Sequence, residues 1–595
     1  MSELAKEPSF AFDDSRRLPG PNRWFATPAV VLTALTAAAR DDLALQAWAA
    51  RVAALCGALH WPDPHPHAQR HGDTATLAFA APDDALFTAT EINEWAWERS
   101  ADAHTALAVQ GVRTEQPQAG QAGAVADLFS ARARAEHTGP LVRLRAAALQ
   151  RGVPVFEDDD TVSLGAGSGS ASWPRAALPL PMDVPWAALH GVPTLLVTGS
   201  NGKTTTTRLL VAMATAAGHR TGSCSTEGVV VAGQTLQRGD YAGPAGARAV
   251  LRHPAVEFAV LETARGGILR RGLALRRADA ALVTNVSADH LGEYGVATVE
   301  DIAHAKLAVA HAVAPSGTLV LNAADPVLMA VAAASPQVQA VRAAGRLALF
   351  ARDHAHPVLA AHRAAGGPTC GVLAGQLVHV RAGVAHDLGD VARMPLTLDG
   401  AAGHNIENIA AAVLMAAAGG LAPAAVRATL AHFGARTDDN PGRLERWLYR
   451  GATVLIDYAH NPGGLAQLLA VARALQPRRL GLLLGQAGNR DDAAITDLAR
   501  SAAGFAPDRV VIKELPGMLR GRALGEVTAL LEQGLLTAGT DPARISHVAD
   551  EESAAKGLLE WARAGDVVVL PVHTQAVRER LAGLLGGRVG SWPGC

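Results

Sequence analysis

The sequence predicts an α/β protein with an N-terminal α/β domain, a central domain on a mainly parallel sheet, and a Rossmann-like C-terminal domain. Two series of short apolar runs carry that reading. TLLVT, FAVLE, AALVTNV, GTLVLN and RLALFA follow one another after residue 190, separated by amphipathic stretches. TVLIDYA, LGLLLG, RVVIKE and VVVLPV repeat the pattern after Gly442. Apolar runs alternating with helical periods are what a parallel sheet flanked by helices requires. The turn signal Asp439-Asn440-Pro441-Gly442 separates the two series. A chain of 595 residues has room for three or four domains, each with its own core.

The elements follow in order. Residues 1–165 read as one domain, with a strand in TATLAFAA, a helix in EINEWAWERSADAH, and a helix running into a strand in LVRLRAAALQRGVPVFE. HWPDPHPHAQRH holds His60, His65, His67 and His71, but its prolines and lack of a fixed ligand spacing predict a surface loop. EDDD at 157–160 reads as a solvated turn. SLGAGSGSASWPRAALPLP is rich in glycine, serine and proline, so residues 166–190 are expected to form a linker. The central domain then spans 191–440 and the C-terminal domain 441–595. Within the former, the apolar run from Ile409 is interrupted by Gly419, Gly420 and Pro423, which predicts a buried helix rather than a membrane span.

Composition narrows the partners. Hydrophobic residues make up 49% and charged residues 18%, with a net charge of −2, so no basic surplus points to nucleic acid or an acidic membrane. Cys56, Cys224, Cys370 and Cys595 are scattered without a CxxC pair, as expected of reduced thiols in a cytoplasmic protein. The N-terminus lacks the apolar core of a signal peptide. Arginine replaces lysine nearly everywhere, which sets apart the five lysines, Lys203 and Lys306 among them.

VTGSNGKTTTT, Val197 to Thr207, is a strand–loop–helix transition with a Gly-Lys-Thr core. Glycines let backbone N–H groups turn in on phosphates, and a helix N-terminus adds its partial positive charge. Lys203 is placed to reach the β- and γ-phosphates, and the Thr204 hydroxyl to ligate Mg²⁺. The next strand ends at Glu262, and the one after it runs through Asn285 to His290. Strand ends converge on the ligand crevice of an open α/β sheet, so Glu262 and His290 fall where metal ligands sit.

TGSNGKTTTT, the acid of VLETARGG, DHLG, GHNIENIAAA, GRLE and DYAHNP resemble, in that order, the Mur ligase superfamily, from Val192 to about Thr574. TARGGILRRGL, NVSADHLG and RGRALGEVTALLEQGL are similar to the Mur-like half of the cyanophycin synthetase family. LPGPNRWFATPAV and APDDALFTATEINEWAWE resemble that family's first domain. Where the family continues into an ATP-grasp domain, this chain passes through SASWPRAALPLPMDVPWAALHGVP directly into the Mur-like half.

The resemblance implies an ATP-dependent carboxylate–amine ligase working through an acyl phosphate. Gly199, Asn201, Gly202, Lys203, Thr204 and Thr205 would hold ATP with Asn405, Asn408, Arg443, Asp457 and His460. Thr204, Glu262 and His290 would hold two Mg²⁺, and Lys306 matches a lysine that is carbamylated in many members. Thr226, Arg265, Arg270 and Arg271 would face an acidic acceptor, an aspartate-containing peptide or polymer; Arg270 and Arg271 could equally be surface residues. Glu514, Arg520 and Arg522 would face the free amino acid. KELPGMLRGR keeps only Glu514 of an expected acidic cluster, which leaves arginine and lysine both open as the amine. A partner enzyme supplying the polymer backbone and a homo-oligomeric assembly are also expected. Two alternatives stand beside this: a non-catalytic nucleotide-binding scaffold, and a ligase of the Mur or folylpolyglutamate type acting on another small acid.

Overall fold

Residues 12–35, 39, 42–110, 119–289 and 291–586 are described by a computed structural model. The N-terminal domain is an antiparallel sheet of β1 (Phe12–Leu18), β2 (Ala29–Ala34), β3 (His67–His71) and β4 (Thr74–Ala80), in the order β1-β2-β4-β3. Helices α1 (Asp42–Ala58) and α2 (Leu86–Gln110) cover one face, burying Trp48, Phe79 and Trp97. Then come α3 (Ala119–Glu136) and α4 (Gly139–Gln150). The histidine-rich tract is not wholly a loop, because His67–His71 pairs along β4 as an edge strand.

The stretch expected as a linker is packed structure. A small sheet of β5 (Val155–Glu157), β6 (Thr161–Leu164) and β7 (Ala171–Pro174) leads into a series of 3₁₀ turns. Val184 and Leu189 from those turns bury against Leu144 and Ala148 of α4, with Trp173 and Trp186 beside them. These apolar residues, spaced among the small ones, decide its fate. EDDD is likewise no free turn: Glu157 pairs with Arg145 and Arg175, and Asp158 with Arg252.

The central sheet has 11 strands, and its middle positions the site. β8 (Thr194–Thr198) is followed by α5 (Lys203–Ala216) and the hairpin strands β9 (Thr221–Ser225), β10 (Gly228–Val231) and β11 (Gln234–Arg238). Next are α6 (Pro244–Leu251), β12 (Phe258–Glu262), α7 (Arg265–Arg271), β13 (Ala278–Val283) and α8 (Val299–Leu307). β14 (Val313–Asn322), α9 (Pro326–Ala334), α10 (Pro336–Ala343), β15 (Leu347–Asp353) and α11 (Pro357–Ala364) continue the alternation. β16 (Thr369–Leu373), β17 (Gln376–Arg381) and β18 (Val384–Asp390) close the sheet as antiparallel strands, before α12 (Gly403–Ala418) and α13 (Pro423–Leu430).

β8 lies between β12 and β13, parallel to both. Its side chains alternate between two cores. Leu196 joins Ala259, Leu261 and Val283 on one face, while Leu195 and Val197 join Val260 and Leu282 under α5 and α12 on the other. A parallel strand buried on both faces reads as an unbroken apolar run, which is why TLLVT and FAVLE are so legible. The run from Ile409 belongs to α12, buried on the sheet. Among the described residues no helix is long and apolar enough to cross a membrane.

Beyond Asn440–Gly442 a six-stranded sheet begins, in the order β19-β20-β24-β21-β22-β23. It is built from β19 (Glu445–Tyr449), β20 (Ala452–Asp457), α14 (Pro462–Ala474), β21 (Leu480–Leu484), α15 (Asp492–Ala503) and β22 (Arg509–Lys513). α16 (Glu526–Thr537), β23 (Ile545–Val548), α17 (Glu551–Trp561), β24 (Val567–Pro571) and α18 (Gln575–Leu585) complete it. Only β19 runs antiparallel to its neighbour.

Candidate active site

The loop between β8 and α5 is shaped by what cannot be there. Gly202 caps α5 at φ 84°, and a Cβ on it would come within 2.2 Å of Asn408 Oδ1. At Gly199 a Cβ would sit 1.8 Å from Thr284 Oγ1. The loop is held from the β13 side: Asn285 Oδ1 accepts the Asn201 N–H at 3.0 Å, and Thr284 donates its hydroxyl to Asn201 O at 2.6 Å. Lys203 folds back to donate to Ser200 O at 3.1 Å, so its ammonium stays at the mouth of the loop. Four threonines in a row start the helix, and Thr204 points inward.

Thr204 Oγ1 donates to Glu262 Oε2 at 2.9 Å. Parallel pairing sets Glu262 opposite Val197, so the carboxylate ends β12 directly beside the loop. Glu262 is fully buried, and its other oxygen, Oε1, has no hydrogen-bond partner. Burial raises its pKa, against the pull of Lys203 and Arg443 and the Thr204 hydrogen bond. A buried carboxylate oxygen without a partner, next to a hydroxyl and a phosphate loop, is an oxygen donor set of the kind Mg²⁺ takes alongside phosphate. Residue 290, the other expected ligand, lies outside the described residues. Lys306, on α8, is 4% exposed. Burial holds its pKa well below the ordinary lysine value; Lys203 and Arg265 add to this and Asp289 opposes it.

The C-terminal domain closes the site. Arg443 Nη2 reaches Thr204 Oγ1 at 3.4 Å, and its guanidinium lies 4.8 Å from the centroid of the Tyr458 ring. Asn461 donates to Asn201 Oδ1 at 3.0 Å, and Asn440 to Thr205 Oγ1 at 3.2 Å. Arg490 pairs with Asp289 at 2.9 Å, with His460 Nε2 3.9 Å from the same carboxylate. Asp457 accepts the Leu444 N–H at 2.7 Å and so fixes the strand entry beside Arg443.

One cleft of about 1790 Å³ joins these parts. The loop glycines, Lys203, Thr204, Thr205, Glu262, Lys306, Asn405, Arg443, Asp457 and His460 line it, as do Thr226, Arg265, Arg270, Arg271 and Arg520. Asn408 is one layer back, donating to Asn405 Oδ1 at 3.1 Å and packing on Gly202. Two expected residues are elsewhere. Glu514 is turned onto the start of α16, accepting from Gly525 N at 3.1 Å, where a helix N-terminus favours a carboxylate. Arg522 donates to Gly488 O and Arg490 O and pairs with Asp492 and Glu526, so it ties down the loop that carries Arg490. Spacing alone misses Asp289, Arg490 and Tyr458, although the first lies inside SADHLG and the last inside DYAHNP.

Residues 197–416 match the Mur ligase middle domain, and residues 442–571 match the Mur ligase glutamate ligase domain. The chain carries the middle and C-terminal domains of a Mur ligase. It is 36% identical over 398 residues to a cyanophycin synthetase of Synechocystis sp., a match covering 67% of this chain and 44% of that one. It thus spans less than half the length of that relative. With the UDP-N-acetylmuramoyl-L-alanyl-D-glutamate–2,6-diaminopimelate ligase of Corynebacterium glutamicum, identity is 28% over 402 residues, 65% of this chain and 71% of that one. Among solved structures, Mycobacterium tuberculosis folylpolyglutamate synthase complexed with ADP aligns with a TM-score of 0.47 at 22% identity, covering 67% of this chain and 91% of that one. The family's two Mur domains correspond to the two sheets whose strand ends face each other across the cleft.

Proposed function

We propose that the chain is an ATP-dependent acid–amine ligase, joining the amine of a free amino acid to a side-chain carboxylate of an aspartate-containing peptide or cyanophycin-like polymer. One observation carries this reading: Lys203, the Thr204–Glu262 pair and Arg443 of the other domain converge on one cleft, whose continuation is walled by Arg265, Arg270 and Arg271. The cations suit an acceptor that brings carboxylates, and the loop suits the nucleotide.

In the first step a carboxylate oxygen of the acceptor attacks the γ-phosphorus of ATP, giving an acyl phosphate and ADP. The barrier is the approach of two anions, so positioning and neutralisation by Lys203, Arg443 and the loop N–H groups do most of the work. The amino acid's ammonium gives one proton to solvent and the neutral amine attacks the acyl carbon; the tetrahedral intermediate then loses a second proton from nitrogen, its C–O bond to phosphate breaks, and an amide and inorganic phosphate remain. Thr204 and Glu262 would hold Mg²⁺, with residue 290 expected at a second ion. Bound there, the metal supplies charge neutralisation at the phosphate oxygens. Burial shifts Lys306 towards the uncharged amine, the form that carbon dioxide converts to a carbamate, and such a carbamate would supply an anionic group to the second site. Arg520 faces the amine side, whereas Glu514 and Arg522 serve their loops. Arginine, lysine or a similar amine therefore remains for the assay to name, and a partner enzyme would supply the acceptor backbone.

Purified protein is incubated with ATP, Mg²⁺, an aspartate-rich peptide and each amino acid in turn, and phosphate release is followed. Release requiring both acceptor and amine is the expected result. Tight nucleotide binding with no release under any pairing would favour a scaffold role instead.

A further inference from the structure

The motif LPGPNRWF, residues 18–25, has no part in the ligase chemistry, yet it is built rigidly and aimed at the site's walls. Asn22 is fully buried and organises the loop between β1 and β2. Its amide donates to Gly20 O at 3.1 Å and Thr27 O at 3.0 Å, and its Oδ1 accepts the N–H groups of Trp24 and Phe25. One side of this loop grips the end of α7. Pro21 O accepts Leu273 N–H at 2.7 Å, and a Cβ on Gly20 would fall 1.9 Å from Leu273 O.

Its other side holds the start of α8. Arg23 Nη2 donates to Asp301 Oδ1 at 2.6 Å, and Gln69 Nε2 of β3 donates to the same oxygen at 3.0 Å. Asp301 Oδ2 accepts Ala297 N–H at 3.0 Å and Thr298 N–H at 3.1 Å, closing the capping box of α8. One carboxylate thus caps the helix with one oxygen and takes the N-terminal domain with the other. The Arg23 and Asp301 side chains are 5% and 8% exposed. Burial pushes Asp301 up, but the hydrogen bonds from Arg23 and Ala297 and the arginine's charge outweigh it and hold the carboxyl down at about 2. A second clamp lies just before: the buried Arg16 guanidinium sits 4.8 Å from the Tyr294 ring centroid, and Gly295 abuts Thr76 and His71.

α7 bears Arg265, Arg270 and Arg271; α8 bears Lys306; the segment between β13 and α8 bears Asp289 and Glu293, the latter paired with Arg265 at 2.7 Å. We propose that the N-terminal domain, through Arg23 and the loop around Asn22, is the positioning element for the carboxylate half of the site. It sets α7 and α8 relative to the phosphate loop without touching the nucleotide. Arg23 is a positioning residue, acting through Asp301. The assignment of that half to acceptor binding rests on the ligase reading; the docking itself does not.

The test compares Arg23→Ala, Arg23→Lys and Gln69→Ala in the full chain by hydrogen–deuterium exchange and by kinetics. Arg23→Ala is expected to speed exchange over residues 265–273 and 291–307 and to leave 197–216 unchanged. The acceptor kcat/KM should fall on the order of 10- to 100-fold, as small misplacements near a reaction centre do, with nucleotide Kd within about twofold. Arg23→Lys should restore part of the loss. Gln69→Ala, which removes the Gln69 bonds to Asp301 and from Arg23 but leaves the Arg23–Asp301 pair, should shift the same readouts less, and it carries the test if Arg23→Ala does not fold. Unchanged exchange at 265–273 and 291–307 overturns the proposal whether or not the protein is a ligase. Faster exchange with an unaltered acceptor kcat/KM overturns the positioning role. If no acceptor turns over in the wild type, the ligase reading fails while exchange still decides the brace.

Discussion

Replacing Glu262 by glutamine should make the ligand-free protein more stable while abolishing turnover. The side chain is 0% exposed, one oxygen is bonded to Thr204 and the other has no partner. Burial raises its pKa despite two nearby cations, so the ionised form weakens the fold. Glutamine keeps the shape and the acceptor for Thr204 and removes the charge. Relief of this kind at functional sites is typically about 0.5–2 kcal/mol. For a domain of this size that corresponds to a rise of roughly 1–8 °C in melting temperature. The sign with pH follows from proton linkage. A carboxyl whose folded pKa lies above its unfolded value binds more protons folded than unfolded. Its penalty is absent below about pH 4 and grows as pH rises towards the folded pKa. The melting curves of variant and wild type should therefore coincide in acid and separate towards neutrality. Mg²⁺ and ATP should reverse the order, because a ligand at a hundred times its Kd adds about 2.7 kcal/mol only to the protein that binds it. Differential scanning calorimetry across pH, with and without nucleotide, makes the comparison. A variant that melts lower than wild type at neutral pH, or that gains equally from Mg²⁺·ATP, refutes the reasoning.

Other perturbations probe separate parts of the account. Gly202→Ala must place a Cβ at φ 84° and 2.2 Å from Asn408 Oδ1, so it should lose at least tenfold in nucleotide affinity by calorimetric titration; left-handed backbone alone costs roughly 1–2 kcal/mol. Lys513, fully buried and bonded to Glu551 and Pro571 O, is held at about 8 by burial against the attraction of Glu551. Lys513→Met takes the cation from that buried carboxylate and leaves it the His573 and Thr574 N–H groups, so denaturant unfolding should show a loss of up to about 3–5 kcal/mol, partly recovered when Glu551→Gln is added. Arg490→Ala breaks the pair with Asp289 across the cleft and should lower kcat roughly tenfold or more while ligand-free melting stays nearly unchanged, since closure rather than folding depends on it.

The parts of this molecule that sequence reveals best are those where one physical demand dominates. Leu195 to Val197 and Phe258 to Leu261 must be apolar on both faces, so the middle of the parallel sheet is plain in the string of residues. Gly199, Gly202 and Lys203 must sit together at one strand end, and the loop is equally plain. Residues 171–189 were obscured because the glycine- and serine-rich run just before them and their own four prolines read as a linker, although Trp173, Val184 and Leu189 pin the segment down. The placement of Glu514 and Arg522 was hidden for a different reason: a charged residue beside a strand end can face the cleft or cap the next helix, and only the turn geometry decides. Asp301 and Arg23 are 278 positions apart, and no local pattern ties an N-terminal loop to the cap of a distant helix.

In the proposed reaction an acceptor carboxylate is phosphorylated before the amine attacks. An aspartate-containing acceptor labelled with ¹⁸O in its carboxylates is incubated with the protein, ATP, Mg²⁺ and the amine, and the released phosphate is analysed by mass spectrometry. One ¹⁸O should pass to phosphate for each amide formed. Amide formation with unlabelled phosphate would contradict it.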